Sequence, residues 1–286
     1  MIPIKDNVPT SRFPFLTVLL IAVNVAVFGW QISQSSDAGS SSNPHVQGLS
    51  QQDETTIEYG AIPYRLTHPG KDCAIGVVPS PGGRTAQVVC QGTRGYERLR
   101  QLDDRPGVQF APLDSPPWWV TIVTSMFLHG GLLHIGFNML FLWIFGNNVE
   151  DSMGRPRFLL FYLLAGIVAA YAQALLDVNS TEPAIGASGA IAGVLGGYLL
   201  LYPGASVLTV IFIFFFFTLI EIPAAILLAI WFALQFLPAI GQVGTTAVAG
   251  GGGVAYWAHV GGFVFGLAAI KLFANRYRDK RSGIYA

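Results

Sequence analysis

The sequence predicts an all-α membrane protein, a bundle of six spanning helices with both termini cytoplasmic and a small β-hairpin insertion in the first extracytoplasmic loop. Composition is the first observation behind this: 52% of the residues are hydrophobic and 11% are charged. Soluble domains carry about 25% charged residues, so most of this chain suits lipid better than water. The second is the recurrence of apolar runs long enough to cross a bilayer, at about 13–32, 131–149, 157–176, 187–202, 222–238 and 253–273. The third is the placement of the cations. Lys5 and Arg12, then Arg155 and Arg157, then Lys271, Arg276, Arg278, Lys280 and Arg281 all fall on one side under a six-span count, and a seven-span count separates them.

Taken in order, residues 1–12 read as a cytoplasmic N-terminus and 13–32 as the first span. The run from Phe13 to Trp30 is too long for a signal-peptide core, and Trp30 suits the membrane interface. Residues 33–117 form a long polar extracytoplasmic loop. It begins with a Ser/Gln/Asn/Gly-rich linker and includes an insertion over about 70–112. Within the insertion, two β-prone runs (73–78 and 85–90) flank a Pro/Gly turn, which reads as a hairpin. Cys73 and Cys90 bracket it. On an oxidising face they form a disulfide, and the alternative is two buried or free thiols. Residues 118–273 form the membrane core, opened by Trp118 and Trp119 at the interface, and 274–286 form a basic cytoplasmic tail. The stretch Val207 to Ile220 is very apolar but only 14 residues long, and Glu221 and Pro223 close it. Being short for a span, it reads as an interfacial lead-in to the fifth one.

Several functions are excluded at this stage. With 16 basic and 16 acidic residues and no basic stripe, nucleic-acid binding has no electrostatic basis. No Cys/His or Cys-x-x-Cys spacing builds a metal site, so neither metal nor cofactor is expected.

The polar residues inside the spans carry the functional signal. Gly186-Ala187-Ser188-Gly189 opens the fourth span, where free backbone N–H groups and the positive end of the helix dipole favour a developing oxyanion. Glycines at 189, 193 and 197 line one helix face and let a neighbour approach backbone to backbone. His134 and Asn138 lie one turn apart near the outer end of the second span, and His259 lies in the outer part of the sixth. Helix direction alone brings these four residues to the outer half of the membrane. A lone serine among glycines is commonly a packing residue, and Ser and Asn also join helices. Ionisable residues inside a membrane, by contrast, default to function. Together they suit acyl transfer, with His259 deprotonating Ser188 and with His134, Asn138 and the Ser188 backbone N–H facing the oxyanion. No carboxylate is placed beside His259, so the expectation is a dyad.

Gly186-Ala187-Ser188-Gly189, His134-Ile-Gly-Phe-Asn138 and Ala258-His259-Val-Gly-Gly262 resemble the signature motifs of rhomboid intramembrane serine proteases. Residues 146–154 and Tyr59-Gly-Ala-Ile-Pro63 look like those of bacterial members. The resemblance implies a multi-pass protein of the cell membrane whose active site faces the extracytoplasmic side. It would cut transmembrane protein substrates near the outer face, among membrane lipids. Ser188 maps to the nucleophile, His259 to the general base and acid, and His134 and Asn138 to oxyanion contacts. Gly186, Gly189, Gly193, Gly262 and Gly266 map to helix packing. The fifth span maps to a lateral gate, and the glycine-rich 241–253 to a cap. Position 192 is Ala, where some members carry a tyrosine that stacks on the histidine. The alternative function is a catalytically silent rhomboid-like protein that binds transmembrane helices.

Overall fold

The computed structural model describes residues 1–34, 50–80, 83–213, 216–242 and 254–275. The expected linker of the first loop, the 241–253 cap and the basic tail lie wholly or largely outside the described residues.

In chain order the elements are β1 (Ile2–Asp6), α1 (Phe15–Gln34), α2 (Gln51–Tyr59), α3 (Pro63–Thr67), β2 (Cys73–Ser80), β3 (Gly83–Cys90), α4 (Arg94–Leu102), β4 (Gln109–Pro112) and α5 (Trp118–Thr124). There follow α6 (Leu132–Phe141), a π-helical segment over Leu142–Gly146, α7 (Asn147–Met153), α8 (Arg155–Leu176), α9 (Ser188–Leu201), β5 (Ser206–Ile213), β6 (Phe216–Pro223), α10 (Ala224–Gln242) and α11 (Tyr256–Phe273). Among the described residues, five helices are long and apolar enough to cross a membrane: α1, the continuous run Leu132–Met153, α8, α10 and α11. The remaining apolar core helix, α9, has 14 residues. At 1.5 Å per residue it spans roughly 21 Å, short of a bilayer's hydrocarbon thickness of about 30 Å.

Helix α9 is the hub. Tyr198, Leu195 and Ala192 are fully buried within it, and Phe145, Phe158, Phe161, Tyr162 and Ile270 of the surrounding helices close around them. Against α11 the contact is made by backbone. A side chain on Gly262 would strike the carbonyl oxygen of Gly189, one on Gly266 that of Gly193, and one on Gly196 that of Phe263. Lipid tails give apolar side chains no incentive to leave them, so close backbone approach supplies the dispersion energy that joins these helices.

The first loop folds around a three-stranded antiparallel sheet in the order β3-β2-β4. Its pleat sorts the apolar residues by alternation: Ile75, Val77 and Ala111 pack on one face, and Ala74, Val89 and Leu99 on the other. Cys73 stands opposite Cys90 in the β2–β3 register, and the two are joined as a disulfide.

The stretch 207–220 departs from its expected reading. It forms most of an antiparallel hairpin, β5–β6, and β1 adds to it, pairing Ile2 with Val210 and Asp6 with Val207. Its Val, Ile, Thr and Phe content favours strand, and two strands of eight residues use a length too short for a span. Residues 1–12 are likewise more than a tail. Asp6 accepts hydrogen bonds from Tyr198 Oη (2.6 Å) and Asn148 Nδ2 (2.6 Å), fastening β1 to the helical core.

Candidate active site

Three local structures bring the polar residues together. The segment before Ser188 is held by a two-way bridge between Ala61 and Ala184 (3.0 and 2.9 Å) and by the Gly186 N–H donating to the Ser125 carbonyl (2.8 Å). Gly186 adopts φ +119°, a region that L side chains rarely enter. Ser188 is the first residue of α9, where backbone N–H groups have no partner within the helix. Across the glycine contact, α11 presents His259, its fourth residue.

The Ser188 hydroxyl lies 2.7 Å from His259 Nε2. On the other side of the ring, His259 Nδ1 lies 2.7 Å from Gln235 Oε1 of α10. The imidazole is 9% exposed, and Trp231, one turn before Gln235, lies beside it at 6.1 Å between centroids. An aromatic neighbour therefore reaches the histidine from α10, while position 192 holds a buried alanine.

On the facing side, the Gly130 N–H donates to His134 Nδ1 at 3.3 Å. A ring that accepts at Nδ1 carries its proton at Nε2 when neutral. That Nε2 would lie 2.8 Å from a Cβ placed on Gly186, and Ser188 Oγ would lie 3.6 Å from the same point. Gly186 thus leaves open a space between the serine hydroxyl and the His134 Nε2 of α6. Asn138 is buried, and its amide donates to the His134 carbonyl at 3.0 Å. The glycines at 189, 193, 262 and 266 lie in the α9–α11 contact and its α8 flank.

These groups open into a cavity of about 870 Å³ lined by His134, Asn138, Ser188, Gln235 and His259. The first loop reaches the same cavity through Thr56 and Ile57 of α2 and Ala86 of β3, so it walls the cleft. Among the described residues no group of three or more His, Cys, Asp or Glu side chains is placed to hold a metal ion. A hydroxyl hydrogen-bonded to an imidazole, with an N–H donor across a gap, is an arrangement suited to nucleophilic acyl transfer.

One residue of the site, Gln235, is not singled out by the sequence. Gln235 left one trace, being the sole polar side chain between Ala224 and Leu237, and polar groups inside spans tend to be functional. His129 is fully buried, and its backbone N–H donates to Gln31 Oε1 of α1 at 3.0 Å. That contact anchors the turn before His134 to the first span.

The rhomboid domain model matches residues 116–276, more than half of the chain. Rhomboid protease GluP of Bacillus subtilis is 48% identical over 82 residues, covering 29% of this chain and 15% of that protein. Rhomboid protein 1, mitochondrial, of Saccharomyces cerevisiae is 34% identical over 97 residues, 32% of this chain and 28% of its own length. Rhomboid-like protease 3 of Toxoplasma gondii is 30% identical over 110 residues, 38% and 41% of the two chains. The matched regions thus cover less than half of each of these relatives. With the family model spanning the helices that hold Ser188, His134 and His259, the chain belongs to the rhomboid family of membrane proteins.

Proposed function

We propose that this protein is an intramembrane serine endopeptidase that uses a Ser188–His259 pair. The observation that carries the reading is the 2.7 Å contact between the Ser188 hydroxyl and His259 Nε2 inside a cavity within a helical bundle. Ser188 Oγ–H donates to His259 Nε2. As the proton passes to the imidazole, Oγ attacks the carbonyl carbon of the scissile peptide. The carbonyl oxygen becomes an oxyanion in the space beside Gly186, facing His134 Nε2–H and the Ser188 backbone N–H. Asn138 uses one amide hydrogen on the His134 carbonyl and has a second for the same oxyanion. The imidazolium then protonates the leaving amine, the C–N bond breaks and an acyl-enzyme remains. Water entering the cavity gives its proton to His259 and attacks the ester, and collapse of that second intermediate releases the carboxylate product and restores Ser188.

The same reading makes α9 a sixth, shortened span that begins beneath the extracytoplasmic surface. Both termini are then cytoplasmic, as the distribution of Lys and Arg supports, and the protein resides in the cell membrane. Its substrates are transmembrane protein segments that enter between α6 and α10. Most of α10 is exposed, with Leu234, Leu237 and Ile240 facing outward, so it is the element able to yield.

The test is cleavage of a model transmembrane substrate in proteoliposomes, with fluorophosphonate labelling and mapping of the modified residue. Cleavage and a label on Ser188 are expected, and both should vanish in Ser188→Ala. Turnover retained by that variant removes the mechanism.

A further inference from the structure

Catalysis by a serine–histidine pair requires one tautomer of the imidazole. Nε2 must hold a lone pair toward the hydroxyl, so the ring proton must sit on Nδ1. In many hydrolytic sites a carboxylate enforces this. Here, among the described residues, the hydrogen-bond partner at Nδ1 is the Gln235 amide oxygen at 2.7 Å. We propose that Gln235 is a positioning residue that holds the proton of His259 on Nδ1, an inference that rests on the protease reading above.

An amide oxygen only accepts. With the proton on Nδ1, both ring nitrogens are satisfied: Nδ1–H donates to Gln235 and Nε2 accepts from Ser188. With the proton on Nε2, a lone pair on Nδ1 faces a lone pair on Oε1, and the Ser188 hydroxyl, accepting from Nε2–H, must turn its own proton away from the ring. The buried imidazole has little water with which to repair either loss. A carboxylate in the same place would favour the imidazolium more strongly, but it would carry a formal charge in a helix whose neighbouring side chains Leu234, Phe236 and Leu237 are exposed. A neutral acceptor sets the tautomer without that cost. Trp231, one turn away on the same face of α10, lies beside the ring and restricts its tilt.

The arrangement also divides the machinery between two kinds of support. Ser188 and His259 are joined through the glycine contact of α9 and α11, whereas the tautomer-setting oxygen stands on α10.

The test uses the full chain, wild type and three variants, in proteoliposomes with a transmembrane substrate. Gln235→Met removes the acceptor at similar size, and kcat should fall about 10- to 100-fold with KM changed less than about twofold. Gln235→Glu, assayed at a pH where its carboxyl is ionised, presents only oxygen acceptors and should keep kcat within about threefold of wild type. The Ser188→Ala blank sets the background. A Met variant with wild-type kcat, or a Glu variant as slow as the Met variant, overturns the proposal. Histidine ¹⁵N NMR of the wild-type protein, assigned by the signal lost in His259→Gln, needs no altered Gln235. It should show a protonated Nδ1, and a protonated Nε2 overturns the proposal even where the Met variant fails to fold. A wild-type protein that neither cleaves nor labels defeats the protease reading instead, and the NMR result then stands apart from it.

Discussion

Replacing Gly262 with alanine adds one methyl group to the α9–α11 contact, and the structure allows its effect to be worked through. The new Cβ would overlap the Gly189 carbonyl oxygen, which is backbone and has no rotamer into which to retreat. Restoring a separation of 3.0 Å, the least that real Cβ atoms keep, requires the helices to part by about 1 Å. His259 lies three residues away on α11, roughly 4.5 Å along the axis, so it moves with the contact. The Ser188–His259 separation of 2.7 Å then grows to about 3.7 Å, beyond a hydrogen bond. A misplacement of that size costs on the order of 100-fold in kcat, and overpacking adds about 1–3 kcal/mol of destabilisation. The assay is turnover of a transmembrane substrate beside thermal unfolding in the same detergent. Gly29→Ala in α1, where an added Cβ meets nothing within 4 Å, is the control; it should leave turnover unchanged and should not lower the unfolding temperature. Gly262→Ala with kcat within threefold of wild type would refute the claim that backbone contact sets the geometry of the pair.

Three further outcomes are expected. Burial beside Tyr198 and Asn148 raises the Asp6 carboxyl from about 3.8 to about 6, with the Tyr198 hydrogen bond opposing the shift. Because the folded state holds this proton more tightly, the stabilisation from Asp6 is fully present below about pH 4 and is lost as pH rises through about 6. Thermal unfolding between pH 4.5 and 7 should show that decline, and Asp6→Asn should flatten it. Glu150 accepts from the Leu16 and Thr17 N–H groups (3.0 and 2.7 Å) and from the Thr17 hydroxyl (2.8 Å), capping α1. Glu150→Ala should cost about 3 kcal/mol and lower Tm by roughly 5–10 °C in a melting experiment. The Cys73–Cys90 bridge closes a separation of 17 residues. Paired replacement by serine should destabilise the first-loop unit by about 3 kcal/mol and abolish the reduction-dependent shift in gel mobility.

What could be read from the chain follows the range of the physics involved. The long spans announce themselves because hydropathy is local and lipid allows few alternatives. Ser188, His134 and His259 stand out because polar groups are rare in such runs and helix direction assigns each a depth. The β1–β5 pairing was not legible. Ile2 and Val210 are strangers in sequence, and nothing in Ile2–Asp6 names a partner so far along the chain. Gln235 is not legible either, because one amide in an apolar helix resembles ordinary interhelical glue until its oxygen is seen against Nδ1. Gly186 reads as one more small residue in a glycine-rich run, and only its φ of +119° and the imidazole beside it separate it from Gly189.

The pairing of β1 with β5 also bears on how the protein is made. Its opening strand leaves the ribosome more than two hundred residues before Val210, the partner of Ile2. At about 5–20 residues per second, an interval of roughly 10–40 s separates the two. For nearly all of it Asp6 lacks both Tyr198 and its strand neighbour Val207. Assembly of this seam is therefore a late event in biogenesis, and it joins Ile2–Asp6 to a hairpin that adjoins α10.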